Sequence, residues 1–172
     1  MGKVLSTYDI GWPGAVSRSV DDIIVSLKNA GAEPIPFGAP VFLTDGGDGV
    51  VGFVRNGAQV FDRFAGFAVR SAGKTPDAYP LSQDMGTAAG SQAGAWNPGE
   101  VAEVLVRGCV AVRAGAGFSA GDKVYIRTSD GTLVPNAGAE GTTLLLENVR
   151  IRRPQAGSGP CSEVVVTKRN IQ

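Results

Sequence analysis

Residues 100–135, EVAEVLVRGCVAVRAGAGFSAGDKVYIRTSDGTLVP, decide the fold of this chain. From Ala102 to Val112 every second position is alanine, valine or glycine, and the positions between them carry charged, apolar and small residues. A β-strand sends successive side chains to opposite faces, so this alternation predicts a strand with one apolar and one mixed face. A helix would scatter the same valines around its circumference, and β-branched residues favour strands.

The residues that follow predict a hairpin. Residues 114–121 are small and glycine-rich, which indicates a connector, and residues 123–128 alternate again around Val124 and Ile126. Asp130-Gly131 can supply the positive φ angles of a tight type I′ turn. Residues 133–134 then form the second arm, until Pro135 ends the ladder.

Further strands are predicted on both sides of this centre. Residues 41–44 and 50–54 flank DGGDG at 45–49, which predicts a hairpin, and residues 142–151 and 162–168 predict two later strands. Residues 33–40 contain three prolines and are expected to be extended and irregular.

Residues 19–31 fit two structures. Ser19 could cap a helix that ends at Gly31, whereas the β-branched run Ile23-Ile24-Val25 favours a strand. From the residues alone the two alternatives stay open.

The organisation along the chain predicts one domain. A length of 172 residues suits a single domain, and 25 glycines with 10 prolines indicate short strands joined by turns. Residues 1–18 are interrupted by Gly11, Pro13 and Gly14 and predict an N-terminal arm or an irregular sheet edge. Residues 71–99 have almost no apolar period and predict a long loop, so the domain spans residues 19–172.

Charge and hydropathy narrow the classes of partner. Sixteen basic and sixteen acidic residues cancel, whereas nucleic-acid binders usually carry a basic surplus, so no nucleic-acid partner is expected. A basic patch could still lie near Arg150, Arg152 and Arg153. No apolar stretch reaches the roughly 18 residues of a membrane span, so a soluble protein with no membrane partner is expected.

The residue types used in catalysis and metal binding do not form a recognisable active site in this sequence. The chain has no histidine, which removes Ser-His-Asp and Cys-His catalysis and the commonest zinc ligands. The pair Asp45 and Asp48 is too small a ligand set for calcium, and Pro76 breaks the phosphate-loop likeness of residues 71–75. We therefore expect no enzyme, no cofactor and no metal.

Several stretches together resemble one known family. They are WPGAVSRS from Trp12, IIVSLKNAGAEPIPFGAPV from Ile23, FAGFAVRSA from Phe64, NPGEVAEVLVRGCVAVRAG from Asn97 and FSAGDKVYIRTSDGTL from Phe118. In this order and at these spacings the chain is similar to the structural cement (decoration) proteins of tailed-bacteriophage capsids. The resemblance covers roughly residues 12–134, and the chain differs from the family pattern at residues 71–96 and after Pro135.

The resemblance implies an all-β fold: a single-domain β-barrel or jelly-roll-like antiparallel sandwich, with long loops and at most one short helix. It also favours a strand over a helix for residues 19–31. It implies a virion protein, made in the host cytoplasm, that lies on the outside of an icosahedral shell. There it would bridge adjacent copies of the major capsid protein as a homo-oligomer, either a dimer or a trimer.

Contacts with the shell are expected on the arm and the long loop, because aromatic and arginine side chains dominate interface energies. The candidates are Tyr8, Trp12, Arg18, Tyr79 and Trp96. In the alternative interpretation, both tryptophans close the ends of the barrel.

Two rival functions belong to other classes. One is a carbohydrate-binding or tail- or fibre-associated β-sandwich module. The other, which is the least favoured, is a hydrolase that uses paired carboxylates such as Asp21 with Asp22 or Glu100 with Glu103.

Overall fold

The structure is a computed structural model that describes residues 10–53, 63–71, 94–114, 116–155 and 161–171, with the backbone alone for residues 18–20. These residues form eleven β-strands and no helix. The strands are β1 Val16–Asn29, β2 Ile35–Pro36, β3 Pro40–Leu43, β4 Gly49–Gly52, β5 Phe64–Ala68, β6 Ala95–Trp96, β7 Val101–Arg113, β8 Lys123–Arg127, β9 Leu133–Val134, β10 Thr143–Arg153 and β11 Cys161–Val166. The all-β prediction is confirmed, and residues 19–29 lie in strand β1.

Five strands close into a barrel. They follow the order β1-β4-β3-β5-β7, and β7 pairs back onto β1 to complete the ring. Each neighbouring pair in the ring is antiparallel except β1 with β4, which is parallel. The apolar cluster that fills this ring draws on all five strands, through residues such as Val25, Val50, Val41, Ala65 and Val104. The short ladder of β2 with β6 adds Ile35 and Trp96 to the same cluster.

A second sheet continues from β7 through β11, β10, β8 and β9. Its inner face packs on the outside of the barrel, where Phe42, Phe64 and Phe67 point away from the barrel interior. Phe64 stands edge-on to Phe42 at 6.0 Å between ring centroids and to Phe67 at 5.4 Å. Buried aromatic side chains contribute about 1.5–3 kcal/mol each, so this second core is a major source of stability.

Strand β7 contributes side chains to both cores, and the core that its even-numbered residues face changes at Gly108. Before it, Val104 and Val106 belong to the barrel cluster, and after it Val110 and Val112 belong to the second cluster. Gly108 has φ +119°, and a Cβ there would overlap Oδ1 of Asp22. Only glycine allows β7 to take this conformation while Asp22 lies over it.

Two segments predicted to be irregular contain short strands. The proline segment 33–40 and the loop 71–99 each contain part of a two-residue ladder, β2 with β6, because Ile35 and Trp96 are both buried there. Proline is tolerated in β2 because this ladder is short and has no further strand beside it.

The type I′ turn predicted at Asp130-Gly131 is wrong. Residues 128–131 form a longer loop in which Gly131 N donates a hydrogen bond to Arg127 O at 2.8 Å. Only Gly131, and not Asp130, has a positive φ. The Asp130 carboxylate instead accepts hydrogen bonds from Thr132 N and Arg127 Nη1, both at 2.9 Å, which stabilises the longer loop.

Candidate functional site

Two glycines join the N-terminal segment to one end of the barrel. Gly14 has φ +79° and Gly38 has φ +75°, and their backbones touch. A Cβ on Gly14 would lie 2.9 Å from the backbone nitrogens of Gly38 and Arg70, and a Cβ on Gly38 would lie 2.8 Å from Gly14 N. Both the positive φ and the close approach therefore require glycine.

Backbone hydrogen bonds hold Gly14 between separate parts of the barrel. Gly14 N donates to Ala111 O at 2.8 Å, and Arg70 N donates to Gly14 O at 2.8 Å. Gly38 N donates to Ala68 O at 2.8 Å, and Pro13 beside Gly14 is buried. Residues 13 and 14 are consequently fixed at a defined point of the barrel end.

Aromatic side chains close the same end. The rings of Phe37 and Trp96 meet edge-on at 5.9 Å, and Trp96 Nε1 donates to Val69 O at 3.0 Å. The Arg70 guanidinium carbon lies 5.6 Å from the centroid of the Phe37 ring. We call this assembly of residues 12–14, 37–38, 69–70 and 96 the barrel-end junction.

The predicted contact residues have different environments. Trp96 is 5% exposed, which favours the alternative that it closes the barrel, and Trp12 is partly buried two residues before Gly14. Arg18 lies within β1, and its backbone pairs with that of Cys109 on β7. Tyr8 and Tyr79 lie outside the described residues. The structure thus brings Trp12 and Trp96 to the same barrel end.

A second anchor holds the beginning of β1 on the sheet. Ser17 Oγ donates a hydrogen bond to Glu163 Oε1 at 2.7 Å, and Glu163 is only 2% exposed.

The nearby Cys109 thiol is buried, and burial raises its pKa; the Glu163 charge adds to this effect. Arg152 opposes the rise, with its Nη1 at 3.8 Å from Cys109 Sγ. Cys109 is therefore a buried, protonated thiol rather than a reactive thiolate.

Three of the four acids of the hydrolase hypothesis make structural contacts. Asp21 forms a salt bridge with Arg107, and Asp22 Oδ1 accepts a hydrogen bond from Cys109 N at 3.3 Å. Glu100 Oε2 accepts a hydrogen bond from Asn97 N at 2.7 Å in the turn before β7. Glu103 is exposed on the outside of β7.

The aspartates of the β3–β4 turn also make structural contacts. Asp48 Oδ1 accepts a hydrogen bond from Thr44 Oγ1 at 3.2 Å, and Arg63 Nη1 donates to the carbonyls of Thr44 and Asp45. Within the described residues, no group of three histidine, cysteine or acidic side chains could hold a metal.

Sequence reasoning missed the contact between Gly14 and Gly38. The two glycines belong to stretches that carried the resemblance, WPGAV and IPFG, which lie more than twenty residues apart. A proline or phenylalanine directly before each glycine was the available signal. It could indicate a turn at each place, but not that the two turns pack together.

Comparison with known proteins found a matching family and a similar fold. The sequence matches the family described as "Structural cement protein (E217 gp24/Pam3 gp6)" over residues 3–166. A chain of the solved structure "The capsid of Myoviridae Phage XM1" has a similar fold, with a TM-score of 0.67 and 19% sequence identity over 96% of each chain. The search of curated proteins found no match.

These findings define a structural protein of the virion capsid, built on a closed β-barrel with an attached sheet. The chain belongs to the structural cement protein family of phages. The resemblance inferred from the sequence motifs is thereby confirmed, and the family is one of structural proteins rather than enzymes. Among the residues described, no helix is long and apolar enough to cross a membrane.

Proposed function

We propose that this protein decorates the outside of the icosahedral shell and bridges adjacent copies of the major capsid protein, which stabilises the expanded head. The observation that carries the proposal is the barrel-end junction, where the N-terminal segment is fixed to a closed barrel at Gly14. A segment that leaves a stiff body from a fixed point can reach one shell subunit while the body contacts another.

Such a bridge would act through differential affinity. A protein that binds across a junction of the expanded shell, and binds the unexpanded shell less well, stabilises the expanded state by the difference in binding free energy. Each copy needs an interface of about 1,000 Å² or more, and many copies on one shell act together.

The arm, residues 1–18, would supply one part of the contact and the domain of residues 19–172 the other. Tyr8 and Trp12 on the arm, Arg18 where the arm enters β1, and Tyr79 on the long loop remain the proposed contact residues. Trp96 is 5% exposed, so it would act mainly by holding the junction through its hydrogen bond to Val69. We further propose that the protein is a dimer or trimer on a symmetry axis, which light scattering of the purified protein would test.

The arm assignment is tested by replacing residues 2–9 with a glycine–serine sequence of the same length. This leaves Pro13 and Gly14 in place, whereas a longer deletion would remove the hydrogen bond from Gly14 N to Ala111 O. We expect the variant to keep the thermal stability of the parent protein and to lose binding to expanded shells that lack the cement protein. Unchanged occupancy, measured by electron microscopy, would reject residues 2–9, including Tyr8, as shell contacts.

The carbohydrate-binding alternative has less support. Sugar sites usually present exposed aromatic rings, and among the described residues Trp96 is buried, and Trp12 and Tyr125 are partly buried. Binding on a glycan array, with no binding to shells, would favour that alternative.

A further inference from the structure

Strand register places a set of basic residues on the outer face of the second sheet. Lys123 on β8 lies opposite Arg150 on β10, and Arg150 lies opposite Val165 on β11. Directly opposed residues of antiparallel strands share a face. Val124, next to Lys123, belongs to the buried cluster on the other side. Arg152 shares the outer face, because its Nη1 approaches Cys109 Sγ, and Cys109 is opposite Val165.

The charges of these cations are not neutralised within the described chain. Lys123, Arg150 and Arg152 are exposed and form no salt bridge there. Within the described residues, the polar contacts of the two arginines go to uncharged groups: Arg150 to Gly121 O at 3.4 Å and Arg152 to Cys109 Sγ at 3.8 Å.

Two acids close to this face, Glu163 and Asp130, are already occupied by other contacts. Glu163 is 2% exposed and accepts a hydrogen bond from Ser17, so it presents almost no surface to a partner. At the far corner of the sheet, Asp130 forms a salt bridge with Arg127. Glu147 is exposed on β10 between Leu145 and Arg150 and adds one negative charge to this face. Lys123, Arg150 and Arg152 outnumber it, so the outer face keeps a net positive charge although the whole chain has none.

An apolar centre lies among these cations. Tyr125 on β8 is opposite Leu145 on β10, and both are partly buried on the outer face, as is Val165. We call Lys123, Tyr125, Leu145, Arg150, Arg152 and Val165 the basic sheet face. A tyrosine and aliphatic residues surrounded by arginines form a composition typical of protein–protein interfaces. A nucleic-acid site would instead be expected in a chain with a basic surplus.

We propose that the basic sheet face docks on a carboxylate-rich patch of the capsid shell. The inference rests on the proposed function, and it adds a contact surface that the arm does not supply. Arginine suits carboxylate partners because its planar guanidinium can donate two parallel hydrogen bonds to one carboxylate. With the arm fixed at the barrel-end junction and the basic face on the second sheet, one chain has the two contact surfaces that a bridge requires.

The experiment compares two triple charge reversals in the full-length protein. The test variant is Lys123→Glu, Arg150→Glu, Arg152→Glu, and the control is Lys28→Glu, Lys168→Glu, Arg169→Glu. The control changes the net charge equally at exposed positions that are not among the residues of the basic sheet face. A third variant, Lys123→Gln, Arg150→Gln, Arg152→Gln, removes the charges without placing new acids near Glu163. Circular dichroism and thermal melting identify which variants are folded.

Affinity is measured for expanded shells that lack the cement protein, at low and high salt. We expect the folded test variants to bind at least about tenfold more weakly than the parent, and the control to stay within about twofold. We also expect the affinity of the parent to fall with added salt, and the salt dependence to be smaller for the glutamine variant.

Three results would overturn the proposal, and they can be told apart. Parent-like affinity of the glutamine variant would exclude this face while leaving the proposed function intact. Failure of the parent to bind shells would reject the proposed function together with the docking surface. Binding of duplex DNA by the parent, lost in the glutamine variant, would show that the face recognises nucleic acid instead.

Discussion

Gly14 and Gly38 show how two residues determine where the N-terminal segment meets the barrel. Each has a positive φ, and each lies against the backbone nitrogen of the other. We expect Gly14→Ala to lower the free energy of unfolding by about 3 kcal/mol, because left-handed strain of about 1–2 kcal/mol adds to overpacking of about 1–3 kcal/mol. Denaturant unfolding of the purified variant measures this change.

Gly99 provides the matched control for this prediction. It has φ +82°, close to the value at Gly14, but a Cβ there would meet no atom within 4 Å. Gly99→Ala should therefore lower the free energy of unfolding only by the left-handed strain, about 1–2 kcal/mol. An equal decrease in the free energy of unfolding of the two variants would show that the close contact between Gly14 and Gly38 adds nothing to the requirement for glycine.

Asp130 predicts a pH dependence of stability. The hydrogen bond from Thr132 N, and then the contacts with Arg127, lower the pKa of the Asp130 carboxyl. A lowered folded pKa stabilises the fold at pH values above the unfolded pKa of about 3.9, and the contribution is lost as pH falls through the folded pKa.

Asp130→Asn should accordingly be less stable than the parent at pH 7, with the difference fading in acid below about pH 4. Thermal melting of both proteins between pH 7 and pH 2 tests this. A difference that stays constant over that range would mean that the carboxylate charge has no part in stabilising the loop.

At the scale of elements, strand β1 depends on contacts at both of its ends. At its beginning, Ser17 Oγ donates a hydrogen bond to Glu163 Oε1. At its end, Asn29 is fully buried, and its Nδ2 donates a hydrogen bond to Trp96 O at 2.9 Å. We expect Ser17→Ala to lower the free energy of unfolding by about 1–3 kcal/mol, because Oε1 of a buried carboxylate loses the hydrogen bond from Ser17. Ser26→Ala, at an exposed position of the same strand, should change it by less than about 0.5 kcal/mol.

Amide hydrogen exchange locates the effect of the Ser17 change. Faster exchange in Ser17→Ala should be concentrated in the first residues of β1 and in β7 opposite them, since Val16 pairs with Val110. Uniform acceleration across the domain would instead show that β1 does not open on its own.

At the scale of the whole molecule, the two cores are joined by β7, which contributes Val104 to the barrel cluster and Val110 to the second cluster. Both valines are fully buried. We expect Val104→Ala and Val110→Ala each to lower the free energy of unfolding by about 2 kcal/mol, from lost methyl burial and cavity formation.

Both variants should unfold in one transition, because a shared central strand couples the cores. Tryptophan fluorescence reports the barrel end through Trp96, and far-UV circular dichroism reports all strands. Coincident curves from the two probes are expected. Separate midpoints, with only one of them shifted by each substitution, would show that the barrel and the second sheet unfold independently.

The sequence by itself determined the strands whose signal is local. The alternation from Ala102 to Val112 required one extended strand, and the hairpin at residues 41–52 followed from its glycine-rich turn. The ordered motifs also indicated the family correctly. Local signals suffice here because side-chain alternation and turn residues depend only on neighbours in the chain.

Only the tertiary structure decided how these strands are used. The even-numbered residues of β7 looked like one apolar face, but they fill two different cores on either side of Gly108. Trp96 lay in a segment without apolar periodicity, yet it is buried by Phe37 and held by Val69. Closure of the barrel, the contact of Gly14 with Gly38 and the basic sheet face all depend on residues far apart in the chain. Their energies come from packing and register across strands, which short-range patterns do not encode.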